Sequence, residues 1–183
     1  WRTAPPNSSD LSILRPIKKP HQPNGGLKML SGNLGKAVIK ISAVSENNRV
    51  ITAPAQVFSN EADVKTAYNN GELNKNVVVV VLAQGPQANG MPELHSLTPI
   101  LANLQDKGFK VALVTDGRMS GASGKIPAAI HVFPEAVNGG NIGRIKNGDI
   151  ISLDATSGKL EVKEEISSRA PFSTASKANP NSF

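Results

Sequence analysis

The sequence predicts a mixed α/β domain in which short strands curl into a barrel-like or layered sheet flanked by helices. The unbroken apolar run at residues 77–82 is typical of a strand buried on both faces, and residues 111–115 predict a second buried strand. Between them, residues 98–107 place apolar side chains at helical spacing, and Gly108 follows where a helix stop belongs. This order predicts a β-α-β unit with parallel strands and a right-handed connection.

The remaining elements follow from turn and capping signals. Short strands separated by turn-forming residues are predicted at 37–44, 50–53, 142–145, 149–153 and 160–162. A turn at Glu46-Asn47-Asn48 joins the first two of these strands. Ser59-Asn60 offers an N-cap for a helix over 61–69, which Gly71 ends. Residues 128–132 fit either a helix or a strand.

The two ends of the sequence differ from the middle. Residues 1–26 hold five prolines and predict an extended leader or interdomain linker. Residues 170–183 are rich in Ser, Asn, Ala and Pro, which is typical of a tail. A single domain is therefore expected over residues 27–169.

Composition excludes several classes of function. The net charge is +6, but the basic residues are scattered and none of the usual nucleic-acid-binding signatures is present, so a solvated basic surface or a small anionic substrate is expected rather than a nucleic acid. The apolar run at 77–83 is too short for a bilayer. No secretory signal is found, and we expect a cytoplasmic protein that has been trimmed or processed. The absence of cysteine excludes thiolate metal ligands within this chain.

Two loops carry the residues with chemical potential. The first loop, residues 84–95, follows the first buried strand, and the second loop, residues 115–125, follows the second. In a parallel arrangement both loops leave the same sheet edge, where open α/β sheets bind ligands. Ser123, Gly124 and Lys125 could cradle a phosphate or carboxylate. The spacing fits neither a Walker A loop nor the serine elbow of hydrolases.

Each candidate residue also has an ordinary explanation. Glu93 could be an exposed carboxylate near a helix start, and Ser120 could be a turn or N-cap serine. Asp116 could simply form a turn, and Lys125 could be solvated. On spacing alone, the ordinary explanation is the stronger one for Glu93 and Ser120.

A longer pattern gives these residues a context. Residues 115–132, Thr-Asp-Gly-Arg-Met-Ser-Gly-Ala-Ser-Gly-Lys-Ile-Pro-Ala-Ala-Ile-His-Val, resemble a signature of the family that dehydrates dihydroxy, phosphogluconic and aldonic acids. Further matches in the same order span about residues 24–162. They are Gly25-Gly26-Leu27, Ser31-Gly32-Asn33-Leu34, Ala37-Val38-Ile39-Lys40, Gly90-Met91-Pro92-Glu93, Pro134-Glu135-Ala136, Gly139-Gly140 and Gly148-Asp149-Ile150-Ile151. Met119 and Ala122-Ser123-Gly124-Lys125 look like the phosphogluconate branch.

The resemblance implies a swivelling β/β/α domain packed against its own larger N-terminal domain, in a homodimer of the full-length enzyme. Cysteines of that N-terminal domain would hold an iron–sulfur cluster, of the 4Fe-4S kind, beside a divalent cation, Mg²⁺ being expected. Glu93 matches the family's cation ligand and Ser120 its base, in the removal of water from a small anionic sugar acid such as 6-phosphogluconate.

Two roles rest on chemistry rather than on the resemblance. Ser123 and Lys125 are our choice for contacting the substrate phosphate, while Arg118 and Asp116 are expected to brace the second loop. Alternatives remain open at this point. The substrate could be a branched dihydroxy acid or a plain aldonate, or the domain could be a non-catalytic module that binds anions or nucleic acid.

Overall fold

The computed structural model describes residue 3, residues 5–119 and residues 125–173. Within these ranges the chain forms eight strands: β1 Leu27–Gly32, β2 Gly35–Lys40, β3 Val50–Phe58, β4 Val77–Val81, β5 Val111–Thr115, β6 Ala128–Phe133, β7 Ile150–Asp154 and β8 Lys159–Val162. The α-helices of the same ranges are α1 Glu61–Asn69, α2 Pro86–Asn89 and α3 Leu97–Asp106. The strands close into a barrel in the order β1-β2-β6-β5-β4-β3-β7-β8. The predicted mixed α/β fold with a barrel-like sheet is confirmed.

Half of the barrel is a parallel layer made of β3, β4, β5 and β6. The other half is antiparallel, apart from a parallel contact between β1 and β8. The predicted parallel pairing of the two buried strands is confirmed, with Val77 opposite Val111 and Val81 opposite Thr115. Because the carboxyl ends of parallel strands lie at one edge, the loops after β4, β5 and β6 leave the barrel together. We call this the site edge.

The unbroken apolar runs are explained by two hydrophobic clusters, one on each side of the parallel layer. In β4, Val78 and Val80 belong to the cluster inside the barrel. Val77, Val79 and Val81 belong to the cluster shared with α1 and α3. All five side chains are fully buried, because the strand has no solvent face.

The predicted helices are confirmed with small shifts of their ends. The Asn60 side chain accepts a hydrogen bond from the Asp63 amide at 2.8 Å and so caps α1. Gly71 and Gly108, just beyond α1 and α3, have φ angles of 77° and 91°, a region that glycine adopts without strain. No helix in the described ranges is long and apolar enough to cross a bilayer.

Three details differ from the sequence-based expectations. Residues 142–145 were predicted as a strand, but they overlap a 3₁₀ helix at Asn141–Arg144. The segment bonds to itself, since the Gly143 amide donates to the Gly140 carbonyl oxygen at 3.0 Å and the Ile145 amide to the Ile142 carbonyl oxygen at 3.4 Å, so these amides are not available to a strand partner. The strand β1 was not predicted, because only Leu30 among its residues is buried. The strands predicted at 37–44 and 50–53 form as β2 and β3, but β2 ends earlier, at Lys40, and β3 extends further, to Phe58.

The segment after β8 is held on the barrel by an ion pair. Arg169 contacts the buried carboxylate of Asp149 through both terminal nitrogens, and its Nη2 lies 3.0 Å from Oδ1. Burial alone would raise the pKa of Asp149, but hydrogen bonds from Arg169 and from the Lys146 amide hold that pKa below its ordinary value. Phe172 packs against the core cluster inside the barrel.

Candidate active site

The two loops singled out in the sequence meet at the site edge. Glu93 of the first loop forms an isolated parallel bridge with Arg118 of the second. The Leu94 amide donates a hydrogen bond to the Arg118 carbonyl oxygen at 3.1 Å. The predicted convergence of the loops is therefore confirmed, and the backbone itself joins them.

The Glu93 carboxylate is held by the guanidinium of Arg118. The Nη1 atom of Arg118 lies 3.1 Å from Oε2 of Glu93, with the two side chains 50% and 29% exposed respectively. The Nε atom of Arg118 also donates to the Met91 carbonyl oxygen at 2.9 Å. An exposed ion pair contributes only about 0–1 kcal/mol to stability. The pair therefore acts mainly by orienting Glu93, and Arg118 braces the loops as expected.

Asp116 ties together the ends of the parallel strands. Its side chain is buried, with 1% of the residue exposed. Its Oδ1 accepts the Gln84 amide at 2.8 Å, and its Oδ2 accepts the Ala83 amide at 3.2 Å and the Ala136 amide at 3.0 Å. These donors follow β4 and β6, while Asp116 itself follows β5. The carboxylate is therefore a structural brace whose oxygens face the protein rather than a ligand.

The backbone near this brace is strained. Ala83 and Met91 have φ angles of 55° and 57°, a region that residues with a side chain seldom occupy. Such conformations persist where the surrounding contacts impose them, and they cluster at functional sites. The bond from the Ala83 amide to Asp116 is one of the contacts that holds the first loop in this conformation.

A second buried carboxylate, Glu135, supports the first loop from the segment after β6. Its two oxygens accept the amides of Gln87 and Ala88 at 3.3 Å each, at the start of α2. Gly85 is required beside it, because a Cβ at that position would lie 2.2 Å from Glu135 Oε2. The sequence alone assigned no role to Glu135, although it lies within the Pro134-Glu135-Ala136 match. Its position just after a β-strand could have indicated a brace at the site edge.

Gln84 is also a brace that sequence reasoning did not single out. Its Nε2 donates to the carbonyl oxygens of Ser59 and Leu82 at 2.7 and 2.9 Å, and its Oε1 accepts from Asn89 at 2.9 Å. A buried glutamine with its amide satisfied on both sides fixes the start of the first loop rather than facing a substrate.

Only some of the remaining predicted residues lie within the described ranges. Ser120 and Ser123 lie outside the described residues. Lys125 is exposed and precedes the buried Ile126. Its exposure leaves the ammonium accessible to an anion and to water. His95 is exposed as well.

Metal-binding capacity is limited in the part of the chain that the structure describes. No three His, Cys, Asp or Glu side chains come together there. Glu93 is suited to be one oxygen ligand of a hard divalent cation, which would need further ligands. The chain has no cysteine at all, so its residues do not fit an iron–sulfur cluster.

The brace at Asp116 leads to a direct prediction. Asp116→Asn should place an amide nitrogen against at least one backbone donor, because asparagine offers one acceptor oxygen where the carboxylate offers two. Losing a charged acceptor costs about 1–3 kcal/mol. Amide hydrogen exchange in the full-length protein should speed up at Ala83, Gln84 and Ala136.

Asp154→Asn is the matched control, since Asp154 accepts the amides of Thr156 and Ser157 in the turn between β7 and β8, away from the site edge. It should leave exchange at the three site amides unchanged. Equal protection of those amides in Asp116→Asn and in the parent protein would contradict the assigned brace.

The described residues thus form a closed α/β barrel with two braced loops and an oriented carboxylate at one edge. The family described as dihydroxy-acid/6-phosphogluconate dehydratase C-terminal matches residues 12–181. The chain therefore belongs to this family, and the resemblance seen in the sequence is confirmed.

Curated relatives agree with this family. The chain is 59% identical over 162 residues to a phosphogluconate dehydratase of Rhizobium meliloti, covering 88% of this chain and 27% of the relative. It is 55% identical over 162 residues to a phosphogluconate dehydratase of Pseudomonas aeruginosa, with the same coverage of 88% and 27%. A dihydroxy-acid dehydratase of Clostridium botulinum is 43% identical over 166 residues, covering 87% and 30%. The chain thus spans less than a third of the length of these relatives.

Proposed function

We propose that this domain forms one wall of the active site of a phosphogluconate dehydratase, a hydro-lyase. The reaction converts 6-phospho-D-gluconate into 2-keto-3-deoxy-6-phosphogluconate and water, as in the Entner–Doudoroff pathway of carbohydrate metabolism. The observation that carries the proposal is the identity of 55–59% to relatives with that name, against 43% to a dihydroxy-acid dehydratase.

The proposed roles divide the chemistry between the two loops. A base removes the proton from C2, the C3 hydroxyl leaves, and the resulting enol tautomerises to the keto acid. Ser120 is the proposed base. A serine hydroxyl is a weak base unless it is ionised, so the positive charge of a bound divalent cation would serve to stabilise the alkoxide.

Glu93 would hold that cation, proposed to be Mg²⁺, at the site edge. Support comes from its position, because Arg118 and the bridge between the loops fix the carboxylate where both loops converge. In the structure Arg118 contacts Oε2 of Glu93, so the cation would have to share the carboxylate with this guanidinium or replace it. Any iron–sulfur cluster would take its ligands from outside this chain, which has no cysteine.

Phosphate recognition is proposed for Ser123 and Lys125. Lys125→Ala should raise KM for 6-phosphogluconate by about tenfold or more, since removing a charged partner of a phosphate costs about 1.5–3 kcal/mol. The KM for unphosphorylated gluconate should change little. Steady-state kinetics of the full-length enzyme with both acids checks the difference, and an equal effect on both substrates would count against the contact.

Lys163→Ala is a suitable control for that measurement. Lys163 is half-exposed, lies just beyond β8 and pairs with Glu161 at 3.6 Å. Both variants remove one exposed positive charge, so they share any change in the net field of the protein. Only a local phosphate contact gives a difference between them.

The partners of the domain are proposed as well. They are its own N-terminal domain, which would supply the cluster ligands, and a second copy of the full-length chain in a homodimer. The 183-residue chain alone should therefore be inactive. Assays of the full-length protein on 6-phosphogluconate, gluconate and a branched dihydroxy acid test the whole proposal. A preference for the branched acid would replace it with the dihydroxy-acid reaction.

A further inference from the structure

Within the described residues, one face of the barrel carries exposed apolar side chains instead of packed helices. The helices α1 and α3 pack on the parallel layer, where they share a hydrophobic cluster with β4 and β5. On the outer face of β1, β2 and the end of β6, large apolar side chains reach solvent. Leu27 is 66% exposed, Met29 is 58% exposed and Phe133 is 66% exposed, with Val38 half-buried between them. We call these residues the apolar patch.

The strand register brings Met29 and Val38 together and places Phe133 opposite Lys36, two residues along β2 from Val38. Met29 lies opposite Val38, and Val38 lies opposite Ile130 on β6. Cross-strand neighbours on one face have Cβ atoms about 4.5–5.5 Å apart, so these side chains touch or nearly touch. Exposed apolar side chains that are contiguous rather than scattered mark interaction sites in soluble domains.

Lysines flank the patch on the same face. Lys36 lies opposite Phe133, and Lys40 lies opposite Leu27. Apolar centres with charged rims are the usual anatomy of a protein interface. The complementary surface would carry an apolar centre with acidic groups around it.

The patch adjoins the site edge. The pairing of β5 with β6 runs to Val114 and Ala129, and β6 then continues to Phe133. A change of register between β2 and β6 accompanies this extension, and His131 within it has a φ of 56°. The His131 amide donates to the Gly117 carbonyl oxygen at 2.9 Å. The end of β6 therefore runs alongside the second loop.

A further exposed apolar group precedes β1. Leu11, Ile13, Leu14 and Ile17 are 57%, 78%, 66% and 94% exposed. Aliphatic side chains at this density in a leader are expected to be covered by another surface. The same partner could bury them, since the leader runs directly into the strand that carries Leu27 and Met29.

We infer that the apolar patch binds the rest of the dehydratase polypeptide. This is the part of the relatives that the chain does not match, since the chain covers only 27% and 30% of their length. The inference rests on the proposed function. The site edge holds one candidate cation ligand and no cysteine, so another region must cover it to complete the site. Whatever covers that edge stands next to Phe133, and the patch offers the apolar area to hold it there.

The test uses the full-length dehydratase with Phe133→Glu and, separately, Met29→Glu. Each puts a negative charge into the patch without touching the core, because both side chains are largely exposed. Undocking should speed tryptic cleavage in the leader at Arg15, Lys18 or Lys19 by about tenfold. It should also lower kcat/KM by a similar factor, with the melting temperature of the barrel unchanged.

Val50→Glu is the matched control, as Val50 is 50% exposed on the outer face of β3, away from the patch. It should alter neither cleavage nor kcat/KM. Unchanged cleavage in both patch variants would overturn the inference. If light scattering then also showed loss of the dimer, the patch would be assigned to contact with another copy of the chain. Cleavage needs no activity, so a parent enzyme inactive on 6-phosphogluconate would reject the proposed function but leave this test intact.

Discussion

Ser120→Ala in the full-length enzyme should lower kcat for the dehydration of 6-phosphogluconate by about 10²–10⁴-fold, the range that a positioned general base contributes. The reason is chemical: alanine leaves no oxygen to take the proton from C2. Fold, cluster content and divalent-cation affinity should stay at parent values, because the substitution removes one small polar atom from a glycine-containing loop. Keto-acid formation, cluster absorbance and a melting curve provide the three measurements.

Ser152→Ala is the control. Ser152 lies on β7, where its hydroxyl contacts that of Thr52 at 3.1 Å, away from the site edge. It should retain parent kcat. If Ser120→Ala retained near-parent kcat, Ser120 would be an ordinary turn serine. The base would then have to be another residue.

The sequence predicted the parallel layer well because its signals are local. Five consecutive valines can be buried only if both faces of the strand are covered, and this is what β4 shows. The helix α1 likewise begins after Asn60 as predicted, since the Asn60 side chain accepts a hydrogen bond from an amide only three residues further along the chain. Such elements are determined by the residues within them.

Other features depend on contacts between distant parts of the chain. Only Leu30 is buried in β1, and the strand is held by pairing with β2 and by closure of the barrel onto β8. The segment at 142–145 reads as a strand in isolation, but the structure has a 3₁₀ helix there, in which the Gly143 and Ile145 amides donate to carbonyl oxygens three residues earlier.

The candidate site shows the same division. The convergence of the two loops followed from the parallel order of the buried strands, and the bridge between Glu93 and Arg118 confirms it. The braces at Gln84 and Glu135 did not follow, because each depends on donors or acceptors that a single sequence does not bring together. The roles of Ser120, Ser123 and Lys125, and of Glu93 as a cation ligand, stay predictions.

Glu93→Gln should weaken binding of Mn²⁺, used as a probe for the divalent cation, by about 10²-fold and lower kcat by about 10²–10³-fold. Glutamine keeps the size of the side chain but removes the charge that attracts a hard cation. Electron paramagnetic resonance of Mn²⁺ titrated into the full-length enzyme measures the affinity without any turnover. The kinetic loss is then read at saturating cation, where weakened binding no longer masks it.

Arg118→Gln distinguishes two roles for Glu93, ligand of the cation or structural partner in the loop bridge. It breaks the same ion pair, whose nitrogen and oxygen lie 3.1 Å apart, but leaves the carboxylate in place. If Glu93 binds the cation, Arg118→Gln should keep or strengthen Mn²⁺ binding, because a competing positive charge is removed while the backbone bridge between the loops still positions Glu93. Equal weakening in both variants would mean that Glu93 serves the loop bridge and that the cation lies elsewhere. The direction of the Mn²⁺ affinity change in Arg118→Gln is therefore the deciding measurement.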